Sequence, residues 1–340
     1  MGSQVVHCFP LAHPQIGGEQ PKLVAPQLCG MWSQMADGSI RDASDDGLHL
    51  FEAPALGSSL VQGFEDWPGE AVGGGGAADS TRIDKNAPPA ALATAHIITF
   101  RHNLILLARC PYETRRPMAM DVHRTATHLR LEVAAKPDGG GGEQQQRTRP
   151  GYMGRRFERL CRGGAEDSWC GVVLTGYDEM RVLVGAEIDC CTVKGPAGAL
   201  PPLEHLLELK THRQPTRPEE EEELRRHKLL DAYLQAFLVG VTQVGLGMRD
   251  DEAGTLVGLE RLPTRGLSRH GGGEPAFDAW ICFRFLRNVL RVLLNKCLPG
   301  RRYRLELARP FAQVVLRDVG ALAEDGDGDG GSSSNKKQKV

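Results

Sequence analysis

The feature that most constrains this chain is a pair of apolar segments that carry charged residues at alternate positions. VLVGAEIDC places Glu187 and Asp189 two residues apart, and LLELKT does the same with Glu208 and Lys210. Successive side chains of a β-strand point to opposite faces, so residues two apart share a face. The sequence therefore predicts two strands that present charged side chains on one face and apolar side chains on the other.

Three carboxylates in such apolar surroundings need a positive partner. Neighbouring like charges raise each other's pKa, and burying unpaired carboxylates is costly in free energy. Magnesium and manganese prefer hard oxygen ligands, so we expect Asp189 and Glu208 to bind a divalent cation together. Lys210 beside them would orient a nucleophilic water or steady a phosphate. Metal-dependent phosphodiester nucleases work in this way, with two ions about 3.5–4 Å apart that clamp the attacking and leaving oxygens.

Three further residues suggest a functional role only in combination with this pattern. Taken alone, Glu158 would be a surface helix acid paired with Arg155 or Arg159. Gln235 would be a solvated helix residue, and Arg101 a surface arginine whose stem covers apolar neighbours. Either charged pair alone is also common on half-exposed strands. The combination of both pairs within apolar segments favours a functional site.

Composition and charge exclude several classes of protein. Hydrophobic residues make up 41% and charged residues 25%, which is ordinary for a globular protein. No apolar run approaches the roughly 18 residues of a membrane span, and MGSQVVHCFPLAHPQ lacks the pattern of a secretory signal, so we expect neither. The net charge of −2 excludes a uniformly basic nucleic-acid coat, although arginines crowd residues 101–130, 147–162 and 284–304 and leave a locally basic groove open.

The cysteines point to a reducing compartment. There are nine, an odd number, and they are scattered without any CxxC pair. This distribution argues against a structural zinc site and against a disulfide framework. We therefore expect the cytosol or the nucleus.

The pattern of apolar residues predicts a mixture of helices and strands. Helices are predicted at 152–162, 219–240 and 276–298. Strands are predicted at HLRLEV (128–133), at 169–190 as two strands joined by a turn, at 201–211, and at RYRLELA and AQVVLRDV near the end. The segment HIITFRHNLILLARCPY (96–112) fits a strand or a helix equally well.

The chain divides into three parts by composition. Residues 1–95 form a variable part that is rich in Gly, Pro and Ser and includes the Gly-rich insertion AVGGGGAADS (71–80). Residues 96–319 form the core, which contains a predicted loop at 136–151. Residues 320–340 form a tail that we expect to be disordered because it cannot bury a core.

In this order, the motifs resemble those of the DXO family of eukaryotic decapping exoribonucleases. The resemblance runs from about Cys29 to about Val319. It rests on TFRHNL, GYMGRRFE, GAEIDC, LELKT and RRHKLLDAYLQAFLVGV in series, and CPYE and the GF of LVQGFEDW also fit. Two positions depart from the family pattern: His102 replaces a usual glycine, and Arg155 replaces a usual aromatic residue.

The resemblance implies a fold and an activity. The implied fold is a single large α/β (α+β) domain with two mixed β-sheets flanked by helices, related to the PD-(D/E)xK nucleases. The implied activity is hydrolysis at RNA 5′ ends. Family members remove incomplete or nonstandard caps, including NAD caps, release pyrophosphate from 5′-triphosphate RNA, and in several cases degrade the RNA from 5′ to 3′.

The resemblance also implies roles for individual residues. The implied ligands of a pair of Mg2+ or Mn2+ ions are Glu158, Glu187, Asp189, Glu208 and the carbonyl of Leu209. The implied catalytic residues are Lys210, Gln235, Glu208 and Asp189, of which Lys210 and Gln235 would contact the scissile phosphate and the attacking water. The implied substrate contacts are Arg101, Glu158, Lys210 and Gln235, with Arg101 at the RNA end.

Two alternatives stay open at this point. The chain could mainly bind and stabilise a larger nuclear 5′–3′ exoribonuclease, or it could be a DNA nuclease of the wider PD-(D/E)xK group. The partner expected from the motifs is the single-stranded 5′ end of RNA, with no membrane. The ending NKKQKV resembles a short nuclear localisation signal, so we expect the nucleus, the cytoplasm or both.

Overall fold

The structure is a computed structural model that describes residues 3–13, 16–67, 69, 80–134 and 148–321. Three expectations from the sequence fall wholly or largely outside the described residues: the Gly-rich insertion, the loop at 136–151 and the C-terminal tail. None of the helices in the described ranges is long and apolar enough to cross a membrane.

Fourteen strands and seven α-helices make up the described part of the chain. The strands are β1 Gln4–Pro10, β2 Leu23–Gln34, β3 Ile40–Asp42, β4 Ile97–Phe100, β5 Met118–Arg124, β6 Leu129–Val133, β7 Ser168–Tyr177, β8 Met180–Ile188, β9 Cys190–Cys191, β10 Leu206–Arg213, β11 Gln243–Asp250, β12 Thr255–Pro263, β13 Arg301–Leu307 and β14 Gln313–Ala321. The helices are α1 Thr81–Asn86, α2 Pro89–Thr94, α3 Arg101–Ala108, α4 Arg149–Cys161, α5 Pro218–Glu223, α6 Leu229–Phe237 and α7 Ala279–Lys296.

Both sheets are mixed, as the sequence predicts. The larger has ten strands in the order β1-β14-β13-β5-β6-β4-β8-β7-β2-β3, and β4 runs parallel to both of its neighbours. The smaller has four strands in the order β12-β11-β10-β9, with β10 parallel to β11. The other pairs in both sheets are antiparallel. Helices α1 and α2 pack on one face of the large sheet, and α3, α6 and α7 pack in the main core on the other face.

The central strand β8 shows why the sequence reads as an apolar run there. Val182 and Val184 pack into the main core, whereas Leu183 packs on the other face against α1 and β4. Because both faces are buried, the run is continuous rather than alternating. The turn between β7 and β8 has Asp178 at φ +56°, and its carboxylate accepts a hydrogen bond from Arg291 of α7 at 2.7 Å.

Two features of the chain bring the sheets together at one place. The segment 96–112, which fits strand or helix from its sequence, is both: β4 passes directly into α3 at Arg101. The chain also leaves the large sheet at Ile188 and enters the small one at Cys190, so Asp189 lies at the junction of the two sheets. Helices α4 and α6 both contact β10 near this junction.

Several boundaries differ from the sequence expectations. The predicted helix 219–240 is α5 and α6 joined by a π-helical turn at Leu224–Lys228. Residues 1–95 show little periodicity in sequence, yet β1 pairs with β14 and β2 pairs with β7. Partnership with distant strands stabilises these segments and leaves no local pattern. The three-part division of the chain stays a prediction.

Candidate active site

The polar residues predicted to form a site line a single cleft of ≈ 680 Å³, where α4, β8, β10 and α6 meet. Those that line it are Arg101, Glu158, Glu187, Asp189, Lys210 and Gln235. The other two, Glu208 and Leu209, contact this lining through hydrogen bonds. The structure therefore brings together residues that are up to 134 positions apart in sequence.

Glu208 is the buried centre of the cluster. It is fully buried on β10, while Leu207 and Leu209 pack on the opposite face against α4. Its carboxylate accepts hydrogen bonds from the guanidinium of Arg101 and, at 2.7 Å, from the side-chain amide of Gln235. In this structure the positive partner of the buried carboxylate is therefore an arginine of the protein.

Arg101 joins three elements of the fold. Besides Glu208, its guanidinium donates to the backbone carbonyl of Glu187 on β8 and, at 3.1 Å, to that of Gln235 on α6. Only 6% of Arg101 is exposed. Arg101 thus fixes the relative positions of the strands that carry the acids, in addition to lining the cleft.

The remaining acids approach from different elements. Glu187 extends from β8 into the cleft, and Glu158 reaches it from α4. The carboxylate of Asp189 accepts a hydrogen bond of 2.6 Å from the backbone N–H of Leu209. This bond ties the junction of the sheets to β10, so that the first acidic pair lies beside the second.

Burial raises the pKa of three carboxyls of the site. Desolvation and the charge of Asp189 raise the pKa of Glu158 to about 8. The same two causes raise the pKa of Glu187. Desolvation also raises the pKa of Glu208, against the opposing effect of Arg101. The ionised forms of these carboxyls are therefore disfavoured in the cleft unless a further positive group enters it.

The kind of donors fits a hard divalent cation, since all are carboxylate or carbonyl oxygens. No group of three or more His, Cys, Asp or Glu side chains in the described ranges is already arranged around one point as a metal centre. Glu208 and Asp189 accept hydrogen bonds from protein groups. A carboxylate has about four lone-pair positions, so these bonds leave Glu208 with capacity for a further ligand.

Lys210 and Gln235 complete the chemical groups of the cleft. Lys210 is close enough to Glu158 and Glu208 for its charge to oppose the rise in the pKa of each. The amide nitrogen of Gln235 is held by Glu208, which leaves its amide oxygen as the acceptor of the pair. A positive charge, an oriented amide and several acids can together bind a phosphate and a water.

Sequence reasoning missed the residues at the mouth of the cleft. Arg249 of β11 lines it and donates to Thr211 at 3.1 Å and to Asp251 at 2.7 Å. Its place follows from the parallel register of β10 and β11, which sets Arg249 beside Arg213. The one signal in the sequence is a charged residue at the end of the apolar run VGLGM.

Comparison with known proteins identifies the relatives of this chain. A family model described as RAI1 like PD-(D/E)XK nuclease matches residues 24–329. The chain is 25% identical over 318 residues to the decapping nuclease RAI1 of Cryptococcus neoformans, over 86% of this chain and 81% of that protein. It is 29% identical over 221 residues to the decapping and exoribonuclease protein of Bos taurus, over 58% and 54% respectively, and so aligns with about half of the bovine relative's length.

Solved structures show the same fold. Candida albicans Rai1 in complex with pU5 and Mn2+ superposes with a TM-score of 0.75 at 18% identity, covering 94% of this chain and 93% of that one. S. pombe Rai1 in complex with 3′-FADP gives a TM-score of 0.71 at 19% identity, covering 92% and 100%. At these identities the likeness establishes the fold and nothing finer.

Proposed function

Since the chain belongs to the RAI1-like family of PD-(D/E)XK nucleases, which are hydrolases, we propose that it is a metal-dependent hydrolase of RNA 5′ ends. The observation that carries the proposal is the meeting of four acids with Lys210 and Gln235 in one cleft. The names of the relatives, decapping nuclease and decapping exoribonuclease, support the same chemistry.

The proposed metal ligands are the acids of the cleft. Glu158, Asp189 and Glu208 would hold a pair of Mg2+ or Mn2+ ions, with Glu187 nearby and the carbonyl of Leu209 as a further ligand. The raised pKa values described above support this, because a bound cation would favour the ionised form of these carboxyls. Related structures contain manganese in Candida albicans Rai1 and K. lactis Dxo1, and calcium in Scheffersomyces stipitis Rai1. When bound, such ions neutralise phosphate charge and lower the pKa of water.

The protein groups around the acids would orient the reactants. Lys210 supplies a fixed positive charge for the scissile phosphate, and the amide oxygen of Gln235 can accept a hydrogen bond from the attacking water. Arg101 holds Glu208 in place. Its terminal nitrogens already donate four hydrogen bonds within the protein, so its proposed contact to the RNA end would use the remaining Nε–H.

The proposed reactions share one step. Removal of incomplete or NAD caps, pyrophosphate release from 5′-triphosphate RNA and 5′–3′ degradation each break a P–O bond by attack of water on phosphorus. One cleft can therefore serve all three, and the 5′ end that fits decides the product. Product analysis on 5′-triphosphate, NAD-capped, unmethylated-cap and 5′-monophosphate RNA, with Mg2+ or Mn2+, tests the proposal. Absence of product from every substrate would reject it.

Variants of the site test whether the measured hydrolysis belongs to this protein or to a contaminating nuclease. Asp189→Asn and Glu208→Gln should abolish turnover, while circular dichroism and thermal unfolding show whether the fold persists. Activity that survives both changes would mean that the acids have been assigned wrongly. Single-stranded DNA of equal sequence is the matched substrate control, since a 2′-OH contact discriminates the two.

A purely stabilising role beside a larger nuclear 5′–3′ exoribonuclease is less favoured, because the complete set of acids, lysine and glutamine is present. Association with such an enzyme in addition to hydrolysis remains a proposal, which size-exclusion chromatography of the mixture can test. Nuclear localisation is also a proposal. It depends on the NKKQKV ending, and deletion of this segment followed by imaging is the test.

A further inference from the structure

A second groove opens from the catalytic cleft along α4. It has a volume of ≈ 540 Å³ and shares Arg155, Glu158 and Glu187 with the cleft, so the two are continuous. The end of β2 with the turn that follows it, and the side chain of Trp67, also line it. We call it the α4 groove. A polymeric ligand that extends from the acids of the cleft in this direction therefore enters the α4 groove next.

The periodicity of α4 explains how one helix serves both surfaces. Met153, Phe157 and Cys161 recur every four residues and bury one face against the small sheet. Gly154 and Glu158 line the catalytic cleft on an adjoining face. The residues of α4 and its C-terminal end that line the α4 groove are Tyr152, Arg155, Arg156, Glu158, Arg159 and Arg162.

An aromatic cluster lies at one end of the α4 groove. The rings of Trp67 and Tyr152 are 5.3 Å apart and both line it, and Phe64 packs against each of them. The hydroxyl of Tyr152 donates to the backbone carbonyl of Gln62. Gly63 makes this approach possible, because it has φ +86° and a Cβ there would lie 2.8 Å from the Tyr152 hydroxyl. The fold thus holds two aromatic faces beside the row of arginines.

Three arginines of the α4 groove, Arg156, Arg159 and Arg162, retain capacity for anions. Arg156 donates to the side chain of Gln62 at 3.0 Å, and Arg162 donates to the carbonyl of Asp167 at 2.8 Å. The Nε of each is buried, and no described residue accepts a hydrogen bond from it. Arg159 pairs with Glu166 at 2.5 Å, and both side chains are about half exposed, so that pair is weak and can exchange for a phosphate.

We propose that the α4 groove binds single-stranded RNA that extends from the catalytic cleft, with a base stacked on Trp67 and Tyr152 and the backbone phosphates at Arg156, Arg159 and Arg162. Aromatic faces beside a positively charged groove are the combination by which proteins bind single strands without reading sequence. The proposal rests on the proposed function and adds the surface that holds the RNA body. Continuity with the cleft favours RNA over an acidic protein segment.

The test measures how the affinity depends on RNA length. Fluorescence anisotropy in EDTA, which prevents turnover, gives Kd for a 3′-labelled 5′-monophosphate RNA of about 10 nucleotides, a length within the range of single-strand sites. Competition gives Kd for a dinucleotide with the same 5′ end. Trp67→Ala should weaken binding of the longer RNA about tenfold and leave the dinucleotide unchanged. Trp67→Phe, which keeps an aromatic ring, should retain most of the affinity.

A charge variant tests the other half of the α4 groove independently. Arg156→Gln should weaken binding of the longer RNA and reduce the slope of log Kd against log salt by about 0.7, as expected for the loss of one phosphate contact. Arg302→Gln is the matched control, because Arg302 is exposed on β13, which lies towards the opposite end of the large sheet. It should change neither quantity.

The outcomes separate this proposal from the proposed function. If Trp67→Ala and Arg156→Gln both fold and bind the longer RNA as the wild type does, the α4 groove is not an RNA surface, whatever the enzyme hydrolyses. An occupant such as an acidic protein would give that result. If Trp67→Ala fails to fold, Arg156→Gln and the salt slope still decide. Absence of hydrolysis of any RNA with Mg2+ or Mn2+, with the length-dependent losses intact, would instead refute the proposed function and leave the binding surface standing.

Discussion

Replacement of Arg101 by Met should lower the free energy of unfolding, because it leaves the buried carboxylate of Glu208 without its positive partner. Arg101 is 6% exposed and Glu208 is fully buried, so the pair is shielded from water. Removal of one partner of a buried pair leaves an uncompensated charge, which costs about 3–5 kcal/mol. Arg101→Met and Glu208→Gln should therefore each lower the free energy of unfolding by roughly this amount. Urea denaturation in EDTA, which keeps metal away from the carboxylate, measures it.

The double variant makes this prediction decisive. Arg101→Met with Glu208→Gln removes both charges, so its loss of stability should fall short of the sum of the two single losses by about 2–3 kcal/mol. Arg304→Met is the control: it breaks a partly exposed pair with Asp121, which should cost about 0–1 kcal/mol. If the two changes at the site add without coupling, or if Arg101→Met costs no more than Arg304→Met, Arg101 does not hold the buried carboxylate.

Three further predictions concern metal, pH and packing. Mn2+ should raise the thermal midpoint of the wild type by binding the folded state but not that of Asp189→Asn; equal shifts would place the metal elsewhere. Hydrogen bonds from the backbone amide of Thr216 and the side chain of Arg217 lower the pKa of Glu220 from 4.5 to about 2. Its stabilising contribution is therefore present above pH 4.5 and is lost as the pH falls towards 2, so acid titrations of wild type and Glu220→Gln should converge there; parallel curves would contradict this. Gly247→Ala would place a Cβ 2.7 Å from the ring of Phe157 and should cost about 1–3 kcal/mol in urea denaturation, whereas Gly195→Ala, which meets nothing within 4 Å, should be neutral.

Alternating charged and apolar residues in two segments drew attention to residues that the structure brings close together. Glu208 and Lys210 share a face of β10, as a period of two requires, whereas Asp189 follows the last residue of β8 at the junction of the two sheets. Glu187, Asp189 and Lys210 line the cleft, and Glu208 is buried beside it against Arg101 and Gln235. The mixed two-sheet fold and the nuclease family, both inferred from the order of the motifs, are confirmed.

Other features depend on contacts that a local pattern does not encode. The partner of Arg101 lies 107 residues further along the chain, so its sequence neighbours indicate only an arginine in an apolar run. The first strands of the large sheet pair with strands from the middle and the end of the chain. The apolar stripe that predicts a helix over 219–240 begins at Leu230, so the sequence carries no signal for the π-helical turn at Leu224–Lys228. The roles assigned to individual site residues stay predictions.

The most direct test of the account follows a single RNA with the wild type and one variant. A 5′-triphosphate RNA incubated with Mn2+ should release pyrophosphate with the wild type, and Asp189→Asn should fold normally and release none. Pyrophosphate release at the wild-type rate by the folded variant would show that the acids at the junction of the two sheets do not perform the chemistry.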